Sequence, residues 1–169
     1  MRRILNNFFR RFGYSFKKIK TQYENLDYLL KDKIKQNPTI IDVGANEGQS
    51  IKRFKKLFKN TIIHSFEPLK KEFDKMKSDY ENDNQIYLNN YALDEKVEKK
   101  KFYITAKKQN SSFFRVNLNT EWIKNRAKRF NTTPKNYIVE TPIVKIFTLD
   151  KYCILNKIKQ IDLLKIDTQ

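Results

Sequence analysis

The 169-residue chain holds three glycines, one cysteine, one histidine, one tryptophan and two methionines. Each scarcity closes off a class of chemistry. A lone cysteine, Cys153, can form neither an internal disulfide nor a thiolate metal cluster. No metal site is therefore expected, and a cytoplasmic location is the default expectation. No apolar run approaches the ~18 residues needed to cross a bilayer, and the N-terminus lacks the apolar core and small-residue cleavage site of a secretion signal. No Gly-Lys-Ser or Gly-Lys-Thr occurs, which removes a P-loop. Internal repeats, low-complexity segments and flexible linkers are also missing.

What is present describes a folded chain. Hydrophobic residues make up 39%, charged residues 33% and aromatics 14%, too much apolar and aromatic matter for a disordered sequence. A chain this long buries about two thirds of its unfolded surface as one domain. Lysine plus arginine outnumber aspartate plus glutamate by 36 to 19, a net charge of +17, so negatively charged partners must be considered. The excess is 28 lysines against 8 arginines, scattered along the chain, whereas base-reading surfaces lean on arginine's planar fork; nucleic acid is disfavoured. The first twenty residues carry seven basic residues and no acidic one, with Ile4, Leu5, Phe8, Phe9, Phe12 and Phe16 at helical spacing. This predicts a basic amphipathic helix that either packs on its own domain or lies on an anionic membrane surface, with Gly13 ending or bending it.

Tyr23, Leu26, Leu29 and Leu30 continue a helical stripe as far as Pro38, so residues 1–37 read as a basic helical segment and residues 38–169 as the domain proper. Thr39–Val43 is a β-branched run suited to a strand buried on both faces. Ile51, Phe54, Leu57 and Phe58 then return at helical steps. Thr61–Phe66 is a second strand, with Pro68 placed to start the helix of Leu69, Phe73, Met76 and Tyr80. Ile86–Leu88 is a third. This alternation predicts a doubly wound, mostly parallel α/β sheet. Residues of about 99–148 read as an insertion: Phe102 and Ile104, and later Ile143, Val144, Ile146 and Phe147, look like strands, and Thr120 caps a helix carrying Trp122, Ile123 and Ala127. Trp122 and Cys153 read as packing residues and His64 as a structural one. Ile161–Asp167 is a last buried strand.

Two of the three glycines, Gly44 and Gly48, lie within five residues at the carboxyl end of the first strand. Glycine there permits a sharp turn and close approach of a ligand, and the following helix offers free N–H groups and a positive dipole end. Asn46 stands where a dinucleotide fingerprint needs its second glycine, which argues against NAD. The segment Asp42-Val-Gly-Ala-Asn-Glu-Gly48 resembles the first motif of class I, S-adenosylmethionine-dependent methyltransferases, in the form found in the FkbM-like family. His64–Pro68 is similar to that family's second motif, Asn90–Leu93 to its third, and Thr148–Asp150 with Ile161–Gln169 to the segment around its fourth strand.

The resemblance implies a Rossmann-like fold and methyl transfer to an oxygen of a sugar or other small polymer precursor, the acceptor being a small molecule or glycan. It implies S-adenosylmethionine as cofactor. Asp42 and the turn Gly44, Asn46, Glu47 and Gly48 would hold its methionine end, Glu67 its ribose diol, and Asn90 and Ala92 would border its adenine. Asp167, at the end of the last strand, is the leading candidate for acceptor-side proton removal, ahead of Lys165, with capping a turn or orienting the cofactor as its other readings. Ser111-Ser112 is either part of the acceptor pocket or an ordinary loop. The family continues with further strands where this sequence stops. The resemblance therefore implies a C-terminally incomplete sheet with strand order 3-2-1-4 and an exposed last strand, and weakened or absent activity. Two alternatives stay open: a non-catalytic remnant of the fold, and a basic protein bound to anionic membrane or nucleic acid. Oligomeric state is not readable.

Overall fold

The computed structural model describes residues 26–168. The helix expected over residues 1–20, with Gly13, lies outside them, as do Tyr23 and Gln169. The chain divides into two units, one ending at Lys33 and one running from Ile34. The described part of the first is a helix, α1 (Leu26–Lys33), with Asp27 in its first turn and Lys31 and Lys33 in its last, the order that suits the helix dipole.

The second unit is built on β1 (Thr39–Val43), β2 (Ile62–Phe66) and β3 (Ile86–Asn89), separated by α2 (Gln49–Leu57) and α3 (Lys70–Tyr80). These three strands and β9 (Leu163–Ile166) form one parallel sheet in the order β3-β2-β1-β9. Alternation of side chains along the strands divides the core. Ile41, Val43 and Phe66 cluster with Tyr152 of α5 (Leu149–Leu155). Ile40, Asp42, Ile63 and Ser65 belong to the opposite face, the face of α2, whose Ile51 and Phe54 are buried.

Beyond β3 the chain leaves the sheet. β4 (Ala92–Leu93), β5 (Glu98–Lys101) and β8 (Ile143–Phe147) form a second sheet in the order β4-β8-β5, and β6 (Ile104–Thr105) pairs antiparallel with β7 (Ile138–Glu140). Helix α4 (Glu121–Arg129) starts where expected: the Thr120 hydroxyl accepts a hydrogen bond from the Ile123 N–H, and Ile123, Ala127 and Tyr137 form a small core of their own. Pro134 opens a short 3-10 turn, Pro134–Asn136.

Three expectations need correction. β9 is not the strand buried on both faces that its apolar run suggests but the exposed edge strand that the family resemblance implies: Leu164 is 43% and Ile166 63% exposed, and β1 is its one described neighbour. Trp122 is not a packing residue. It is half-exposed on the outer side of α4, with the Arg126 guanidinium 4.9 Å from its ring centroid. Cys153 is only half-buried, since Tyr152 takes the inward position of α5.

The glycines are demanded by the fold itself. A Cβ on Gly44 would stand 2.3 Å from the Asp167 carbonyl oxygen, and one on Gly48 would stand 2.7 Å from the Tyr80 ring; both residues have positive φ, 75° and 85°. The close approach expected of a ligand at Gly44 is thus made by the chain's own last strand. Gly44→Ala combines left-handed strain with a backbone collision, and we expect it to cost about 2–4 kcal/mol, read as a lowered urea midpoint at unchanged m-value.

Candidate functional site

The strands β1, β2, β3 and β9 end level with one another: Val43 pairs with Phe66 and Ile166, and Phe66 with Asn89. The turn after β1 is left-handed at Gly44, Asn46 (φ 51°) and Gly48. Its exposed donors are answered by β2. The Phe66 carbonyl accepts from the N–H groups of both Gly44 and Ala45 at 3.0 Å. Glu67 Oε2 accepts from the Asn46 N–H at 3.0 Å, and its Oε1 from the Leu69 N–H at 2.9 Å. One buried carboxylate therefore ties the turn to the entrance of α3. Burial pushes the Glu67 carboxyl above its ordinary range, against the pull of these two N–H groups.

Asp42 is fully buried two residues before Gly44. Lys165 Nζ on β9 lies 3.0 Å from its Oδ1 and also donates to the Gly44 carbonyl at 3.1 Å. Lys165 and, from the first turn of α2, Ser50 are the polar side chains that reach toward Asp42, but neither of its oxygens accepts a hydrogen bond of good geometry; the Ser65 hydroxyl beside it is likewise unpartnered. Desolvation raises the Asp42 pKa, and Lys165 opposes the rise. A buried carboxylate with unused acceptor capacity is costly unless a further donor reaches it. The helix that follows is open as well: Gly48, at the cap of α2, supplies no side-chain hydrogen bond, and the first turn contains no acidic residue. Its leading N–H groups are thus free to meet an anion.

The remaining residues singled out in the sequence have mixed placements. Glu47 is exposed and paired with Lys75 of α3 at 2.5 Å. The Asn90 carboxamide donates to the carbonyls of Glu67 and Pro68, at 2.9 and 3.2 Å, and so shapes the turn after β2. Ala92 is buried in β4. The Asp167 side chain is 75% exposed, 3.7 Å from Lys165, while its N–H donates to the Val43 carbonyl. Ser111 is buried and accepts from the Thr105 N–H, and Ser112 bonds the backbone of Phe114, so both hold their own loop. Lys165, ranked below Asp167 in the sequence, proves the more central side chain: its ammonium reaches both Asp42 and the Gly44 carbonyl from β9.

Sequence reasoning missed a polar cluster on the other face. His64 Nδ1 lies 2.8 Å from the Tyr152 hydroxyl, the Asn89 carboxamide donates to the same hydroxyl at 3.2 Å, and the Tyr91 hydroxyl donates to Asn89 Oδ1 at 3.0 Å. With Asn89 as a donor to it, the Tyr152 hydroxyl can give its own hydrogen to His64 Nδ1 when the imidazole carries its hydrogen on Nε2.

The methyltransferase FkbM domain model matches residues 42–169. The chain belongs to this family. No curated protein matches the chain. Among solved structures it is similar to a Clostridium thermocellum protein assigned as an rRNA methylase, at 16% identity and a TM-score of 0.36, over 45% of each chain. A likeness of that size carries no argument about substrate. Family membership agrees with the geometry at its first matched residue, since the FkbM domain opens at Asp42, where the buried acid and the glycine turn begin.

Burial depresses the His64 pKa to about 4. Because the folded value lies below the ordinary 6.5, the native state gains stability above pH 6.5 and loses it as pH falls toward 4. We expect a loss on the order of 3 kcal/mol across that window, measured as the difference in urea stability between the natural chain and His64→Gln, whose own profile should lack this component.

Proposed function

We propose that the chain binds S-adenosylmethionine where β1, β2 and β9 end and transfers its methyl group to an oxygen of a sugar or small polymer precursor. One arrangement carries the reading: two buried carboxylates, Asp42 and Glu67, on adjacent strand ends beside a helix N-terminus without a side-chain cap. The residues fit a ligand that is cationic at its sulfonium and ammonium groups and anionic at its carboxylate. Asp42 has acceptor capacity for the ammonium, the α2 N–H groups suit the carboxylate, and the lone pairs of Glu67 left by Asn46 and Leu69 suit a ribose diol. Gly44, Asn46, Glu47 and Gly48 wall the amino-acid end, with Asn90 and Ala92 toward the base. When bound, the cofactor supplies an electrophilic methyl group.

The chain's own part is mainly alignment. Lys165 fixes the turn from the β9 side. Asp167, the exposed carboxylate next to it, stands where an acceptor hydroxyl would lose its proton, with the carboxylate oxygen taking the hydrogen. The sugar acceptor rests on the family resemblance.

Calorimetric titration with S-adenosylmethionine tests the binding site. Glu67→Ala should bind roughly a hundredfold more weakly, from losing charge-assisted hydrogen bonds to a diol, and Asp167→Asn should bind as the natural chain does while losing methyl transfer. Affinity should also fall on acidification starting above the ordinary carboxylate range, because both buried acids have raised pKa values and bind as anions. Binding that is indifferent to Glu67 would sink the assignment; binding without transfer of labelled methyl to any hydroxyl acceptor would mark a non-catalytic remnant.

A further inference from the structure

The opposite end of the sheet carries a second cleft, of about 400 Å3, lined by the strand starts Thr39 and Ile62, by His64 and Tyr87, by Lys35, and by the loop Asn156–Gln160 that leads from α5 to β9. It lies near the amino ends of the parallel strands, away from the glycine turn at their carboxyl ends. Its volume is in the range of a small-ligand site.

Its walls have two characters. One is flat and apolar: the Tyr87 ring, 46% exposed, stacks on the His64 imidazole with centroids 4.5 Å apart and planes 16° from parallel, next to Ile62, which is 40% exposed. The other is cationic. Among the described residues three lysines line the cleft, and the acid beside it, Asp162, is held by Lys35, Gln160 and the Thr39 N–H. Lys35 is neutralised by Asp162 at 3.0 Å, whereas Lys157 and Lys159 have no ion-pair partner among the described residues. Lys157 is held in a left-handed conformation, φ 54°, at the end of α5, where its N–H donates to the Ile154 carbonyl. His64 adds an uncharged ring: the Tyr152 hydroxyl occupies its Nδ1, and burial keeps the imidazole neutral at neutral pH.

We propose that this cleft binds a small organic anion that joins a planar ring to a phosphate or carboxylate group, the ring lying against Tyr87 and Ile62 and the anion between Lys157 and Lys159. An exposed aromatic face gives a planar ring its seat, and two unmatched ammonium groups beside it give the charge its place. The site differs from the cofactor site in its balance of charge: the one acid at its edge, Asp162, is already engaged by Lys35, Gln160 and the Thr39 N–H.

Calorimetric titration of the full chain tests this with 4-nitrophenyl phosphate, 4-nitrophenol and inorganic phosphate, each with and without saturating S-adenosylhomocysteine. The aryl phosphate should bind more tightly than either fragment and be unaffected by S-adenosylhomocysteine. The double variant Lys157→Glu/Lys159→Glu, which changes only exposed side chains, should weaken it roughly tenfold or more, and Tyr87→Ala should weaken the aryl phosphate while leaving inorganic phosphate unchanged. Inorganic phosphate binding as tightly as the aryl phosphate, unaltered affinity in the lysine variant, competition by S-adenosylhomocysteine, or no binding of the aryl phosphate would each overturn the proposal.

Discussion

The Glu67 carboxylate is the constraint on which the rest of the site depends. A turn that is left-handed at Gly44, Asn46 and Gly48 directs backbone N–H groups toward β2, and unanswered donors there would each cost on the order of 1–3 kcal/mol. The Phe66 carbonyl answers two of them and Glu67 a third. The acid is therefore a staple of the empty fold before it is anything for a ligand. A carboxylate already fixed by two backbone donors has its remaining lone pairs held in a set direction, so the proposed ribose contact would need little reorganisation. The raised pKa is the cost of burial that this placement carries.

The same logic holds one strand over, with opposite emphasis. Asp42 has the burial without the hydrogen bonds, and its compensation is the ammonium of Lys165, which reaches from β9 and also takes the Gly44 carbonyl. β9 thus contributes to the turn twice, through this cation and through the Asp167 carbonyl packed where a Gly44 side chain would be. A strand with an exposed outer face is held in register by polar contacts at its tip, which explains why the site and the edge of the sheet cannot be treated as separate problems.

Much of this was legible in the sequence because buried parallel strands and their crossover helices advertise themselves. β1 was read at its full extent, Thr39–Val43, β2 and β3 to within a residue, and the Thr120 cap was identified from residue type and position. What stayed hidden had no hydrophobic signature or a misleading one. β5 is Glu-Lys-Lys-Lys, a strand whose polar composition suits a sheet edge and resembles any solvated loop. Helix α5 is too short to show a period, although Thr148 does cap it. Trp122 was taken for core on the strength of its size, when Arg126 one turn on gives it an exposed partner. The sequence marks the glycines as places where a ligand comes close, whereas the groups that crowd them in the fold are the chain's own, the Asp167 backbone at Gly44 and the Tyr80 ring at Gly48. For the same reason Lys165 was underrated: its value lies in contacts with residues more than a hundred positions away.

A lysine-rich chain also invites the thought that its charge is uniform, and the structure argues otherwise. At the carboxyl ends of the strands the buried groups are acids, and the cation among them, Lys165, is already engaged. At the amino ends the cleft holds lysines without acids, apart from Lys35, which Asp162 neutralises. Parallel strands give the sheet two chemically distinct ends, because every loop at one end follows a strand and every loop at the other precedes one. Here the two ends also differ in the sign of charge they can accept. The net charge of +17 is therefore a poor guide to what the chain binds, since it averages over two places whose preferences oppose each other.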